Sequence, residues 1–286
     1  MTFFKRAALI LPAFLVSCAA PSPQATTPLA RPVPAAAVPA VPIAQPTLPA
    51  PTNPFIAPKI SPPPSAPSPK HPLKVRTASL HGTEFTAVTF DRRDYFLKVV
   101  DQKNGPGSQF SNAQAAGLGG LAAINGGFFS PEGKPVGLVI TGGEVRGSFN
   151  SSSSLGTGIL DGRLVTLATR QNYRKSHELL QTGPRLVWAG EALTGLSSTN
   201  DRPRSLMIWD GQDHFGLVYA DSATLEGLSN NLKSQPLKGF EIKYAVNLDG
   251  GTSCDLWVSS SIPGGGLNKS SFFRKKARNY LALRRR

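Results

Sequence analysis

The stretch VGLVITGGEVRG, Val136 to Gly147, decides the fold class. Two runs of strand-forming residues flank Gly142 and Gly143, and a glycine pair is what a two-residue hairpin turn with positive φ requires. The device recurs in GILDGRLVTL, Gly158 to Leu167, with Asp161 and Gly162 at the turn, and more loosely in SLMIWDGQDHFGLVYA around Asp210 and Gly211. FTAVTF (Phe85 to Phe90) and YFLKVV (Tyr95 to Val100) are rich in aromatic and branched residues and close enough to predict a further hairpin. Helical patterns are fewer. DSATLEGLSNNLK, Asp221 to Lys233, puts Leu225, Leu228 and Leu232 on one face with Asp221 or Ser222 as the expected cap, and Ser111 to Leu118 is a shorter candidate. The expectation is an α+β domain: a predominantly antiparallel, hairpin-rich mixed sheet with a few packing helices.

Outward from that domain the chain changes character. Lys5 and Arg6 precede an apolar run, Ala7 to Val16, too short to span a bilayer stably and proportioned like a secretory signal. Leu15, Val16 and Ser17 before Cys18 resemble a bacterial lipoprotein signal, so residues 1–17 read as a signal peptide and Cys18 as a lipidated first mature residue. An ordinary signal with an incidental cysteine is the other reading. Ala19 after Cys18, where sorting codes elsewhere use aspartate, points to the outer membrane, facing the periplasm.

Residues 18–72 hold 18 of the 26 prolines and no acidic residue. Such a composition buries too little apolar area to offset chain entropy and reads as a disordered tether, with a reach on the order of 150 Å at about 3.1 Å per residue. Residues 73–286 are then one folded domain. Cys18 and Cys254 are the only cysteines, and lipidation of the first precludes a bridge. Cys254 reads as a small packed residue or, given its nearness to Asp249, a reactive one.

The net charge is +14, and seven positive charges fall within Arg274 to Arg286. That segment reads either as a solvated basic terminus or as a contact for anionic polymers or lipid headgroups. Nucleic acid is not expected, because no interleaved aromatic and basic pattern or binding motif occurs.

Two glycine devices end buried runs. AVNLDGGTSCD, Ala245 to Asp255, stops at a lone carboxylate, Asp249, followed by Gly250, Gly251, Thr252 and Ser253. AAINGGFF, Ala122 to Phe129, has Asn125 in the same place before Gly126 and Gly127. A strand aims such a side chain with little freedom, while glycines let backbone N–H groups line an anion-binding concavity. The loop could hold a sugar hydroxyl, a phosphate oxygen or a metal, or be a tight turn with a capping aspartate. The lysine and spacing of a P-loop are absent.

INGGFFSPEGKPVGLVI, QTGPRLV, DRPRSL and NLDGG, in that order, resemble the phosphodiester glycosidase family, and the closing strand NYLAL fits as well. The resemblance implies cleavage of the sugar C1–O bond of a glycosyl phosphodiester. It implies Asp249 at the sugar carbon, Arg204 on the phosphate, and Asn125 with the glycine amides orienting hydroxyls or phosphate. Gly126, Gly127, Gly250, Gly251 and Thr252 would bind substrate with Gly183 and Pro184 of the GP turn. Where the family often has RTAIG, this chain has RSLMIW, which puts the pocket's shape in question.

An oxocarbenium-like transition state suits a nearby carboxylate, and a departing phosphomonoester suits a guanidinium able to grip two oxygens. Asp201 and Glu132 are the candidates for a second carboxylate. His177 and His214 lack partner spacing, and no clustered pattern demands a metal, although Asp249 with Asn125 and backbone carbonyls could hold Ca²⁺ or another divalent cation through oxygen. SSSS (Ser151 to Ser154) and PGGGLNKSS (Pro263 to Ser271) read as surface loops or a lid.

The function expected is an envelope-anchored hydrolase of glycosyl phosphodiesters in a glycan. The alternative is a non-catalytic glycan- or peptidoglycan-binding lipoprotein of the same fold, and a basic module binding anionic lipid or polymer is compatible with either.

Overall fold

The computed structural model describes residues 70–168 and 171–286. The signal segment, Cys18 and the tether up to residue 69 lie outside the described residues. Pro64–Arg286 is one compact unit, and its described part consists of three antiparallel sheets. The first has seven strands, in the order β1 (Lys74–Leu80), β2 (Thr83–Asp91), β13 (His214–Ala223), β12 (Arg202–Trp209), β14 (Tyr244–Asn247), β10 (Arg185–Trp188) and β11 (Glu191–Ala192). The second runs β16 (Leu267–Ser270), β15 (Asp255–Val258), β4 (Ala122–Asn125), β17 (Asn279–Arg285) and β3 (Tyr95–Asp101). The third runs β6 (Glu144–Val145), β5 (Val139–Thr141), β9 (Leu179–Thr182), β7 (Thr157–Leu160) and β8 (Arg163–Thr166).

Period-two alternation sorts the side chains between layers. In β12, Met207 enters a central core shared by the three sheets, while Leu206 and Ile208 face the other way. There they meet Leu228 and Leu232 of helix α2 (Leu225–Lys233). Each of those leucines, fully buried, contributes about 1.5–3 kcal/mol of transfer free energy. In β17, Leu281 and Leu283 join the central core, and Tyr280 and Ala282 pack with Ala113 and Ala116 of the short helix α1 (Ala113–Gly117). Both faces of the main sheets are therefore covered, which is why SLMIW shows no polar alternation.

Gly142 and Gly143 have φ of 56° and 81°, as the opening hairpin requires, and Asp161 and Gly162 have 45° and 78°. β12 and β13 pair around Asp210 and Gly211 as expected.

Four expectations are corrected. Every named strand pairing among the described residues is antiparallel, so the sheets are not mixed. β2 and β3 do not form a hairpin: β1 and β13 already occupy both edges of β2, and Arg92 to Asp94 carries the chain to another sheet, where β3 pairs β17. The cap of α2 is Thr224, whose hydroxyl accepts the Gly227 N–H, because Asp221 and Ser222 still belong to β13.

The basic C-terminal segment, finally, is not a solvated tail. Asn279 to Leu283 are buried in β17 between β4 and β3, and Arg278 makes a two-pronged pair with the buried carboxylate of Asp101 at 2.9 Å on each prong.

Candidate active site

The two glycine devices meet. β4 ends at Asn125 and β14 ends just before Asp249. The Asp249 N–H donates to the Gly126 carbonyl at 2.9 Å, and Asn125 Nδ2 donates to the Asp249 carbonyl at 2.7 Å. Asp249 is thus gripped on both sides of its own backbone by the other device. Its carboxylate accepts the Gly250 N–H at 2.9 Å. Burial pushes this carboxyl above the usual carboxylate range, against the opposing pull of Ser253, the Gly250 N–H and the cation of Arg202.

Asn125 is wholly buried and both lone pairs of its side-chain oxygen are engaged: besides the Nδ2 bond to Asp249, Oδ1 accepts from Ser205 Oγ at 2.6 Å and from the Asp255 N–H at 3.0 Å. It positions Asp249 and its oxygen has no lone pair left over for a cation, so the possible Ca²⁺ set that includes Asn125 is not assembled. Among the described residues no group of three His, Cys, Asp or Glu side chains converges as a metal site would.

The glycines also differ from expectation. The Gly126 and Gly127 N–H groups donate to the Asn279 carbonyl (2.8 Å) and to Asn279 Oδ1 (2.7 Å), and the Gly250 N–H is held by Asp249. These amides are not open to an anion. Gly126 is small for another reason, since a Cβ there would sit 2.1 Å from Asn279 Oδ1. Of the four glycines in the two devices, Gly251, at φ 64°, is the one that needs its backbone freedom, opening the 3₁₀ turn Gly251–Ser253. Gly183 and Pro184, joined by a cis peptide, hold Asn247 next to the loop: the Asn247 N–H donates to the Pro184 carbonyl at 3.0 Å and Asn247 Nδ2 to the Gly183 carbonyl at 3.2 Å. Thr252 is half-buried beside Gly251 and its carbonyl accepts the Lys275 N–H.

Arg204 is 2% exposed and lies against Gly250, its Nη1 3.7 Å from where a Cβ would stand. Nε donates to the Ala223 carbonyl and Nη2 to the Asn200 carbonyl, both at 2.8 Å. Among the described residues no carboxylate comes within ion-pair distance of it. Burial lowers its pKa to about 10, and the neighbouring Arg202 adds to that, so it is still a cation at neutral pH. A buried, unpaired cation is costly, and an incoming anion removes that cost.

Arg202 was missed by the sequence reading. It is exposed, and its Cδ and Nη1 lie 3.2 and 3.7 Å from where a Cβ on Gly251 would stand. The signal was present in DRPRSL, where two arginines alternate along one strand. Cys254 is fully buried, with its thiol pushed up to about 12 by burial, so it is a packed neutral group and not a nucleophile at neutral pH.

Neither proposed second carboxylate joins Asp249. Asp201 accepts from Ser222, and Glu132 sits exposed on the turn Ser130 to Lys134. His177 lies near Glu178, and His214 bonds Asp210. In the serine run, Ser153 and Ser154 form a 3₁₀ turn with Leu155, and the Ser154 carbonyl packs against Gly183.

A family model for phosphodiester glycosidase matches residues 119–284, from just before β4 almost to the end of β17. The chain belongs to the phosphodiester glycosidase family. The match takes in both glycine devices, the GP turn and both arginines of this family member. Among solved structures the fold resembles the catalytic domain of zebrafish N-acetylglucosamine-1-phosphodiester alpha-N-acetylglucosaminidase auto-inhibited by its pro-peptide, at TM-score 0.52 and 17% identity over 77% of this chain and 85% of that one. It also resembles a hypothetical protein from Synechocystis, at TM-score 0.50 and 14% identity over 74% of this chain and 61% of that one. At these identities the likeness is one of fold. No curated protein matches the sequence.

Proposed function

We propose that the chain hydrolyses the sugar C1–O bond of glycosyl phosphodiesters in a cell-envelope or extracellular glycan. The observation that carries this reading is the Arg204 guanidinium, buried behind the Asp249 loop with no carboxylate among the described residues to pair it. A phosphodiester is an anion of the right sign and geometry. In this reading Arg202, exposed and free to move, grips the phosphate oxygens, and Arg204 supplies fixed positive charge across Gly250 in a low-dielectric setting.

Asp249 faces the anomeric carbon. With its carboxyl shifted upward it is a better base than an ordinary aspartate, fitted to take a proton from water as the C1–O bond breaks. Water then supplies the new hydroxyl at C1, the phosphate leaves as a monoester, and the growing negative charge on it falls between the two arginines. Gly126, Gly127, Gly183 and Pro184 shape the walls, and Asn125 locks the loop.

The segment assignments support a setting for this chemistry: a signal over residues 1–17, a lipidated Cys18, a proline-rich tether to residue 72, and a catalytic domain held in the bacterial envelope at the periplasmic face of the outer membrane.

The test is release of free reducing sugar together with phosphomonoester from an N-acetylglucosamine-1-phosphodiester and a panel of envelope glycans. Wild-type protein is expected to release both, and Asp249→Asn to be slower by about 10²–10⁴-fold. Glycan binding without release from any phosphodiester would favour the non-catalytic lipoprotein instead.

A further inference from the structure

The loop SFFRKK, Ser271 to Lys276, belongs to neither the core nor the reaction described above. Phe272 is 93% exposed and Phe273 77%, the highest values among the large apolar residues described. Their rings touch edge to face, with centroids 4.9 Å apart at 87°. The loop carrying them is not loose. The Ser271 N–H donates to the Cys254 carbonyl at 3.1 Å, the Lys275 N–H to the Thr252 carbonyl at 2.7 Å, and Arg274 Nη1 to Asp255 Oδ2 at 3.0 Å. Two phenyl rings are thus held out into solvent on a loop bonded directly to the segment that carries Asp249.

Lys269, Lys275 and Lys276 are also exposed, and no acidic residue follows Asp255 to the end of the chain. Apolar rings with exposed cations and no acidic residue on the loop itself match an anionic lipid surface, where the rings enter the acyl boundary and the lysines stay among the headgroups. A sugar platform fits less well. Rings at right angles present no single flat face, and phenyl groups have no polar edge for hydroxyls. A second copy of the chain fits less well too, because two rings bury far less area than a stable interface needs.

We propose that Phe272 and Phe273 insert into an anionic bilayer and hold the Asp249 loop at the membrane surface. The docking stands on this loop alone. Its bearing on substrate, a glycosyl phosphodiester met at the membrane surface, rests on the function proposed above.

The compact unit, residues 64–286, is floated with vesicles of phosphatidylcholine with and without phosphatidylglycerol. Binding is expected only where phosphatidylglycerol is present, to weaken as salt is raised, and to fall roughly tenfold or more in Phe272→Ser/Phe273→Ser. A Phe272→Trp variant gives an independent readout: its emission should move to shorter wavelength with the anionic vesicles and be quenched by brominated lipid. Vesicle binding unchanged in the double variant, or tryptophan emission that stays that of an exposed ring, overturns the proposal. So does a wild-type protein that ignores vesicles while the double variant raises KM for a soluble phosphodiester, or loses a dimer seen by sedimentation. Hydrolysis of a soluble substrate is measured alongside, so loss of docking and loss of catalysis are told apart.

Discussion

Because burial raises the Asp249 carboxyl while the Arg202 cation lowers it, removing Arg202 has an effect of defined sign. Arg202→Ala should move the acid limb of the pH–rate profile to higher pH, since Asp249 then protonates more readily. It should also lower kcat/KM roughly ten- to hundredfold, the worth of about 1.5–3 kcal/mol for a hydrogen bond to a charged group. A pH–rate series on both proteins checks this, and an unmoved acid limb would remove Asp249 as the titrating group. Stability follows the opposite sense from activity. A carboxyl whose folded pKa is raised favours the fold below its unfolded pKa and loses that contribution as pH rises through the folded value. Asp249→Asn, strongly slowed in the proposed reading, should therefore melt no lower than wild type at neutral pH, by calorimetry. At this scale the sequence revealed residue types and order, including Asp249 and Arg204 as the groups to watch. It did not reveal that Asn125 and the glycine amides are engaged by Asp249, Asn279 and Ser205, because those bonds join segments 80 or more residues apart, or arise from a turn whose geometry no motif states.

The elements were legible where the signal is local. The Gly142–Gly143 and Asp161–Gly162 turns need positive φ, and Leu228 and Leu232 mark the buried face of α2 by spacing alone. The link from β2 to β3 was not legible, since whether two neighbouring strands pair depends on which other strands already hold their edges. The same dependence gives Gly126 its constraint. A methyl group there meets the side chain of Asn279, itself fully buried and unable to swing aside. Gly126→Ala should cost about 1–3 kcal/mol by urea denaturation and pull β4 from β17 where Asn125 grips Asp249, so activity should fall with stability. An alanine variant as stable as wild type would show that this junction relaxes easily.

For the whole molecule, charge composition suggested a basic tail and the fold contradicts it. Arg274 to Arg286 contains one of the inner strands, and its cations include the buried Arg278 paired with Asp101. Ending the chain after Arg278 would strip β3 and β4 of their shared partner and take Leu281 and Leu283 from the central core. That truncation should abolish the cooperative thermal transition followed by circular dichroism, whereas a melt matching the full chain would mean that β17 is dispensable. No count of arginines could have foreseen this, because the sheet order that makes the last strand internal is a property of all the strands together.

The position of β17 also orders events in time. Asn279, the residue that holds Gly126 and Gly127, opens β17 and follows Asp249 in the sequence. A chain still being synthesised therefore carries Asp249 and both arginines before Asn279 exists to close the wall around them, and the site can assemble only once β17 has been made.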